Sequence, residues 1–212
     1  MRFEDRRHAG ALLGEAVAGL EPVDPVVFAL PRGGVPVGFE VARILGCPLD
    51  VLVVRKIGVP YQPELAMGAL AEGGVLIRNS EIMAEAMVDE GDFAAVVERE
   101  RRELDRRVAS YRSAGVPVAA EGKTAIVVDD GLATGSTAMA AVAVLERKGA
   151  AEVWVAVPVA PRGSLGPLER RAARVVVLHR PAGFGAVGSW YRDFSQTEDN
   201  EVRALLAESR LA

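Results

Sequence analysis

Along this chain, short runs of uninterrupted apolar residues alternate with amphipathic stretches, and that order alone predicts the architecture. Residues 8–20 place apolar side chains near helical spacing, and PVD at 22–24 stops them. PVVFAL (25–30) is short, branched and aromatic, which predicts a buried strand. PRGG (31–34) follows as a turn, VPVGFEVARIL (35–45) as a helix with GCP as its stop, and LDVLVVRKI (49–57) as a second buried strand. Strand, turn, helix, strand is the order of a parallel sheet.

Residues 58–79 break the order. GVP, YQP and EGG punctuate them, predicting a loop and then a hairpin that pairs roughly 66–71 with 75–78 around Glu72, Gly73 and Gly74. Helical material follows in SEIMAEAMV (80–88), then a long helix from about Asp92 to Ser113. Phe93, Val97, Leu104, Val108 and Tyr111 fall near one face of it. The other face carries Glu98 with Arg102 and Glu103 with Arg107 at i,i+4, the mark of a solvated surface. KTAIVVDD (123–130) predicts a third strand, STAMAAVAVLERKG (136–149) a helix ended by glycine, and AEVWVAVPVA (151–160) a fourth strand. A short helix at 164–172, a fifth strand at Arg174–Leu178 and a last helix from about Asp199 complete the chain. The fold expected is α/β: a central, mostly parallel sheet flanked by helices. One domain spans 1–212, with its core in 25–57 and 123–180, an inserted hairpin and helical segment in 58–115, and a tail in 181–212.

Composition narrows the function classes. Of 212 residues, 50% are hydrophobic and 25% charged, the balance of a soluble globular protein. A net charge of −4 disfavours a general nucleic-acid binder, which gains affinity from a basic footprint. No apolar run reaches the ~20 residues of a membrane span, and the N-terminus has no signal-peptide core, so a cytoplasmic location is expected. The single Cys47 excludes an internal disulfide framework and reads as a small buried hydrophobe.

The chemistry concentrates in VVDDGLATGSTA (127–138). No Lys lies between 124 and 147, which excludes the lysine-bearing phosphate loop GxxxxGK[ST], and the spacing is not that of GxGxxG. Two adjacent carboxylates, Asp129 and Asp130, can only accept hydrogen bonds when ionised, and a sugar diol donates them. Just beyond, the backbone N–H groups of 133–137 and the hydroxyls of Thr134, Ser136 and Thr137 stand at a helix N-terminus, where the dipole favours an anion. A diol followed by a phosphate is the layout of a ribose 5-phosphate.

This arrangement resembles the 5-phosphoribosyl 1-pyrophosphate motif of type I phosphoribosyltransferases. The resemblance implies that Asp129 and Asp130 meet the ribose 2- and 3-hydroxyls, while Gly131, Ala133, Thr134, Gly135, Ser136 and Thr137 hold the 5-phosphate. The family's pyrophosphate loop follows its first core strand, where ALPRGGVPVG (29–38) stands here. Arg32 offers a permanently charged fork, Gly33 and Gly34 allow close approach of the backbone, and the resemblance implies a cis peptide bond at Arg32. A mobile loop after the second strand corresponds to RKIGVPYQPELA (55–66), with Arg55 and Lys56 near pyrophosphate and Tyr61 or Glu64 approaching on closure.

The reaction implied is displacement of pyrophosphate from ribose C1 by a nitrogen nucleophile, catalysed by Asp129, Asp130, Arg32 and Lys56. Mg²⁺ is implied as cofactor, held mainly by substrate and indirectly by Asp129 and Asp130. Ala133 stands where hypoxanthine–guanine enzymes carry a further Asp, which leaves the general base and the acceptor open. Phe184, Trp190, Tyr191 and Phe194 cluster in the tail of a chain that is 5% aromatic. They suggest a small hood over a purine-like base, with Phe184 and Trp190 leading, or equally a tail pinned to the core. A homodimer acting on small molecules, with neither nucleic acid nor membrane as partner, completes the expectation. The alternative is a non-catalytic regulatory module of the same fold that senses the donor or a nucleotide.

Overall fold

The computed structural model describes residues 2–112, 117–163 and 165–211. Its centre is a five-stranded parallel sheet of β1 (Pro25–Ala29), β2 (Leu49–Val51), β6 (Thr124–Val128), β7 (Glu152–Val159) and β8 (Arg174–His179), in the order β2-β1-β6-β7-β8. β1, β6 and β7 are buried on both faces, which is why they read as continuous apolar runs, while β8 at the edge is only partly buried. Val27, Ala29, Ile126, Val128, Trp154 and Ala156 join one core cluster. Val26, Phe28, Ala125, Val127, Val153, Val155 and Val157 join another. α1 (Arg6–Ala18), α2 (Gly34–Leu45) and α7 (Asp199–Glu208) contribute to the first cluster, and α5 (Ser136–Arg147) with α6 (Gly166–Arg171) to the second.

The segment 49–57 does not form one strand. β2 ends at Val51 against Ala29, and after Leu52 and Val53 the chain starts β3 (Val54–Val59) in a separate antiparallel sheet, β3-β4-β5. β2 is an edge strand, so the chain can leave the sheet there, and an unbroken apolar run carries no sign of the corner.

The loop expected at 58–65 is also largely strand. β4 (Gln62–Ala71) pairs with β3 from Val59↔Gln62 onward, with register shifts at Gly58. Gly58 permits this: a Cβ there would lie 2.4 Å from the Pro63 carbonyl oxygen. Pro63 is tolerated because it is itself one of the bulged residues between the paired Gln62 and Ala66, where a missing N–H costs little. The second hairpin forms in the expected register, Ala71↔Val75 to Gly68↔Arg78, with β5 (Val75–Arg78) as its outer strand.

α3 (Ser80–Glu85) and α4 (Glu90–Arg112) follow. Phe93, Val97, Leu104 and Tyr111 of α4 are buried and Val108 is partly so, while Arg102 bonds Glu98 at 3.1 Å and Arg107 bonds Glu103 at 2.7 Å. The expected end of that helix at Ser113 and the expected start of α6 at 164 lie outside the described residues. No described helix is long and apolar enough to cross a membrane.

Candidate active site

Strand order reverses between β1 and β6: β1 leads sideways to β2, whereas β6 leads the other way to β7. Open α/β sheets bind ligands at such a switch point, in the crevice outside the carboxyl ends of the strands. Both loops singled out from sequence meet at this point. Leu30 N–H bonds the Val128 carbonyl at 2.8 Å, tying the two strand ends together. The Pro31–Arg32 peptide bond is cis.

Gly33 and Gly34 bring the first loop against the acids. A Cβ on Gly33 would lie 2.0 Å from Asp130 Oδ2, and one on Gly34 would lie 2.6 Å from the Val128 carbonyl and 3.2 Å from Asp129 Oδ1. Only glycine lets the 31–34 backbone pass this close to the carboxylates. Gly33 caps α2 and Gly135, at φ +74°, caps α5; neither supplies a side-chain bond to its helix. Two helix N-termini whose capping residue is glycine therefore flank one pair of acids; the Gly34 and Val35 N–H groups bond the Leu30 and Arg32 carbonyls at 3.0 and 3.1 Å, and the positive end of each helix dipole favours an anion. Thr134 and Thr137 are exposed and Ser136 half-buried. Thr134 Oγ1 lies 3.1 Å from Ser136 Oγ and accepts from Ser136 N–H at 3.4 Å. Ala133 is exposed, and Gly131 is buried beneath Val187, whose Cγ1 a Cβ would meet at 2.6 Å.

Burial sets the electrostatics. It pushes the Asp129 carboxyl well above the ordinary carboxylate range, and the neighbouring Asp130 charge adds to the effect. Asp130 is also raised by burial, opposed by Arg6. Asp129 Oδ1 accepts from Asp130 N–H at 2.9 Å, and Asp130 Oδ2 accepts from Arg6 Nε at 2.9 Å. Nothing in the sequence marks Arg6, because the contact spans 124 positions. Tyr191 reads from sequence only as one of the tail aromatics; its hydroxyl donates to the Asp130 carbonyl at 2.6 Å.

Arg32 faces acids at the start of α7, with its Nη1 4.0 Å from Oε2 of the capping Glu198 and 3.9 Å from Asp199 Oδ1. These are loose ion pairs, longer than hydrogen bonds. Tyr111 donates to Asp199 Oδ1 at 2.9 Å, and burial together with that carboxylate pushes the phenol up to about 12.

Other expected site residues are engaged elsewhere. Arg55 forks onto Glu100 of α4 through Nε and Nη2, both to Oε2, at 2.9 and 2.6 Å, so its charge is already matched in a largely buried pair. Lys56 follows it in β3 and is half-buried. Tyr61 sits in the β3–β4 turn, 67% exposed, with its hydroxyl bonded to the Ala86 carbonyl. The Glu64 side chain lies outside the described residues.

The tail aromatics form a cluster of their own. Phe3 and Tyr191 are buried in it, with Phe184, Val187 and Trp190 packed around them. Trp190 Nε1 donates to the Phe184 carbonyl at 2.9 Å and the indole meets His179 edge-on at 4.9 Å. Residues 190–193 are laced to Phe3 and Glu4 by backbone hydrogen bonds of 2.8 Å. The tail is thus pinned to the N-terminal segment, with Val187 over Gly131 at the rim of the crevice. A cavity of about 530 Å³ beside Cys47, Pro48 and Leu49 opens at the opposite ends of the strands and contains none of the acid-loop residues.

Comparison with known proteins agrees with this geometry. Residues 6–187 match the phosphoribosyl transferase domain. Two curated proteins of Mycobacterium tuberculosis, named "Putative phosphoribosyl transferase Rv0571c" in strain H37Rv and "Putative phosphoribosyl transferase MT0597" in strain CDC 1551, are each 47% identical over 204 residues. Those alignments cover 96% of this chain and 46% of each relative, so the chain spans about half the length of the curated relatives it matches. The crystal structure of TT1426 from Thermus thermophilus is 46% identical, superimposes with a TM-score of 0.92, and is matched over 98% of this chain and 99% of its own. With the family's domain matched across the crevice and both of its loops, this chain belongs to the phosphoribosyl transferase family.

Proposed function

We propose that this chain transfers 5-phosphoribose from 5-phosphoribosyl 1-pyrophosphate to a nitrogen of a purine-like base. The bond between ribose C1 and the pyrophosphate oxygen breaks, a bond from C1 to the base nitrogen forms, and that nitrogen gives up its proton. The observation that carries this reading is the convergence of two helix N-termini without side-chain caps on adjacent carboxylates at the switch point. It supports a ligand with an anion at each end and hydroxyls between.

In this reading the α5 end and the hydroxyls of Thr134, Ser136 and Thr137 take the 5-phosphate. Arg32 and the 33–34 backbone take pyrophosphate, with Lys56 adding charge. Asp129 and Asp130 accept from the ribose diol. Their negative charge beneath C1 also favours the cationic character that develops as the leaving group departs. Donor binding would draw Arg32 away from Glu198 and Asp199, which hold it only loosely in the free protein.

Among the described residues no group of three or more His, Cys, Asp or Glu side chains could hold a metal. Two hard carboxylates at one edge of an anion site nevertheless suit an ion brought in by the donor. Mg²⁺ bound to pyrophosphate would share Asp129 or Asp130, and it supplies neutralisation of the leaving group. Phe184 and Trp190, which pack in one cluster with Val187, would line the base. The assembly proposed for this reaction is a homodimer, and the location proposed is the cytoplasm.

Incubation with donor and Mg²⁺ against a panel of purine and pyrimidine bases, following pyrophosphate release, tests the reading. Base-dependent release is the expected result. Tight donor binding without release on any base would instead favour a regulatory sensor.

A further inference from the structure

Arg6 stands outside both loops, yet it touches the site more closely than several residues within them. Its Nε donates to Asp130 Oδ2 at 2.9 Å and its Nη1 to the Ser195 carbonyl at 2.6 Å, while its guanidinium carbon lies 3.9 Å from the Phe194 ring centroid. The side chains of Arg6 and Asp130 are only 12% and 15% exposed. A cation this enclosed is stable only when nearly fully partnered. Its own helix does not favour it, because Arg6 opens α1, where the dipole opposes positive charge and the first turn holds no acid. What keeps the guanidinium in place is Asp130 on one side and the tail on the other.

Asp130 is gripped at both its side chain and its main chain by terminal segments. Arg6 takes one carboxylate oxygen and Tyr191 the backbone carbonyl, while Gly33 leaves room for the carboxylate. Asp129, Asp193 and Tyr191 are the other ionisable groups nearest to this pair, and a polar cavity of about 170 Å³ beside Arg6 is lined also by Asp5, Arg7 and Glu201. The planar fork can hold a carboxylate, a carbonyl and an aromatic face together, which a lysine ammonium cannot.

We propose that Arg6 is a positioning residue: its guanidinium orients the Asp130 carboxylate toward the ribose diol and fastens the tail at Phe194 and Ser195 beside it. This inference rests on the reading of Asp130 as a diol-facing acid. One oxygen is held by Arg6, and the carboxylate's remaining acceptor capacity is left for a sugar hydroxyl.

The test is a double-mutant cycle on donor affinity, measured calorimetrically, with Arg6→Met, Asp130→Asn and both together. Loss of an oriented charged acceptor should weaken donor binding roughly 10- to 100-fold in Arg6→Met. Because Arg6 acts through Asp130, the double variant should be no weaker than Asp130→Asn alone. Amide exchange at 193–195 should accelerate in Arg6→Met, and Arg6→Lys should recover part of the donor affinity without restoring exchange protection. Should Arg6→Met fail to fold, Arg6→Lys replaces it in the cycle, with a smaller loss and the same non-additivity. Donor affinity within twofold of wild type in the folded Arg6 variant, or fully additive losses, overturns the inference. If the wild-type protein binds no donor, the reading of Asp130 falls and this inference with it. Wild-type binding with an unaffected Arg6 variant removes the Arg6 role alone.

Discussion

Gly33→Ala is a one-carbon probe of whether the two loops act as one site. Gly33 has φ −60° and ψ −31°, so alanine meets no backbone penalty and the effect is purely steric. The new Cβ would lie 2.0 Å from Asp130 Oδ2 and 2.7 Å from Cγ, with Arg6 Nε at 3.3 Å. Ordinary contact begins at 3.4 Å, so the oxygen must retreat by about 1.4 Å and the guanidinium must shift as well. A 2.9 Å charge-assisted bond does not survive that displacement. Its loss costs about 1.5–3 kcal/mol, offset by about 0.4–1 kcal/mol from the reduced entropy of the unfolded chain. The net destabilisation is about 0.5–2.6 kcal/mol, or about 1–10 °C in Tm for a chain of this size. Reversible urea unfolding measures the first quantity and donor calorimetry the functional one, which should fall with it. Gly183→Ala is the control, since its Cβ meets nothing within 4 Å, and it should stay within about 0.5 kcal/mol of wild type. A Gly33→Ala protein with wild-type stability and donor affinity would refute the proposed steric link between the pyrophosphate loop and Asp130.

Two further outcomes follow from burial at other positions. Asp129 is raised well above its unfolded range by burial and by Asp130, so its folding contribution is fully present below the unfolded pKa and is lost as pH rises through the folded one. Asp129→Asn, which keeps an acceptor for the Asp130 N–H, should therefore melt higher than wild type at pH 7, with the difference shrinking toward pH 4; an equal or lower Tm at pH 7 contradicts the burial argument. Burial pushes the Cys47 thiol up to about 11 from 9.0. At pH 8 its alkylation should run roughly a hundredfold slower than that of the unfolded chain, and equal rates with and without denaturant would show the thiol to be open.

Much of this fold was legible because the inner parallel strands are buried on both faces. Val26 and Val27 point to different clusters, yet both must be apolar, so β1, β6 and β7 announce themselves as unbroken runs. The same property hid the corner at Leu52 and Val53, where nothing in the pattern marks a change of sheet. Pro60 and Pro63 suggested a loop because proline cannot donate to a ladder. The bulge that contains Pro63 removes that objection, and only three-dimensional pairing reveals it. At the site, the acids and the two glycine loops were readable as local spacing. Arg6, the Tyr191 contact to Asp130 and the α7 acids near Arg32 were not, because each reaches the crevice from a distant part of the chain. Arg55 looked like a free cation in sequence, and its partner Glu100 lies 45 positions away on a helix face that read as solvated.

In the proposed reaction Asp129 and Asp130 serve a phosphoribosyl donor rather than the fold. Donor-dependent pyrophosphate release, compared between wild type and the Asp129→Asn/Asp130→Asn double variant with matched circular dichroism, tests it most directly. Base-dependent release by wild type and a fall of at least about 100-fold in the folded double variant are expected. Near-normal turnover in that variant would contradict it.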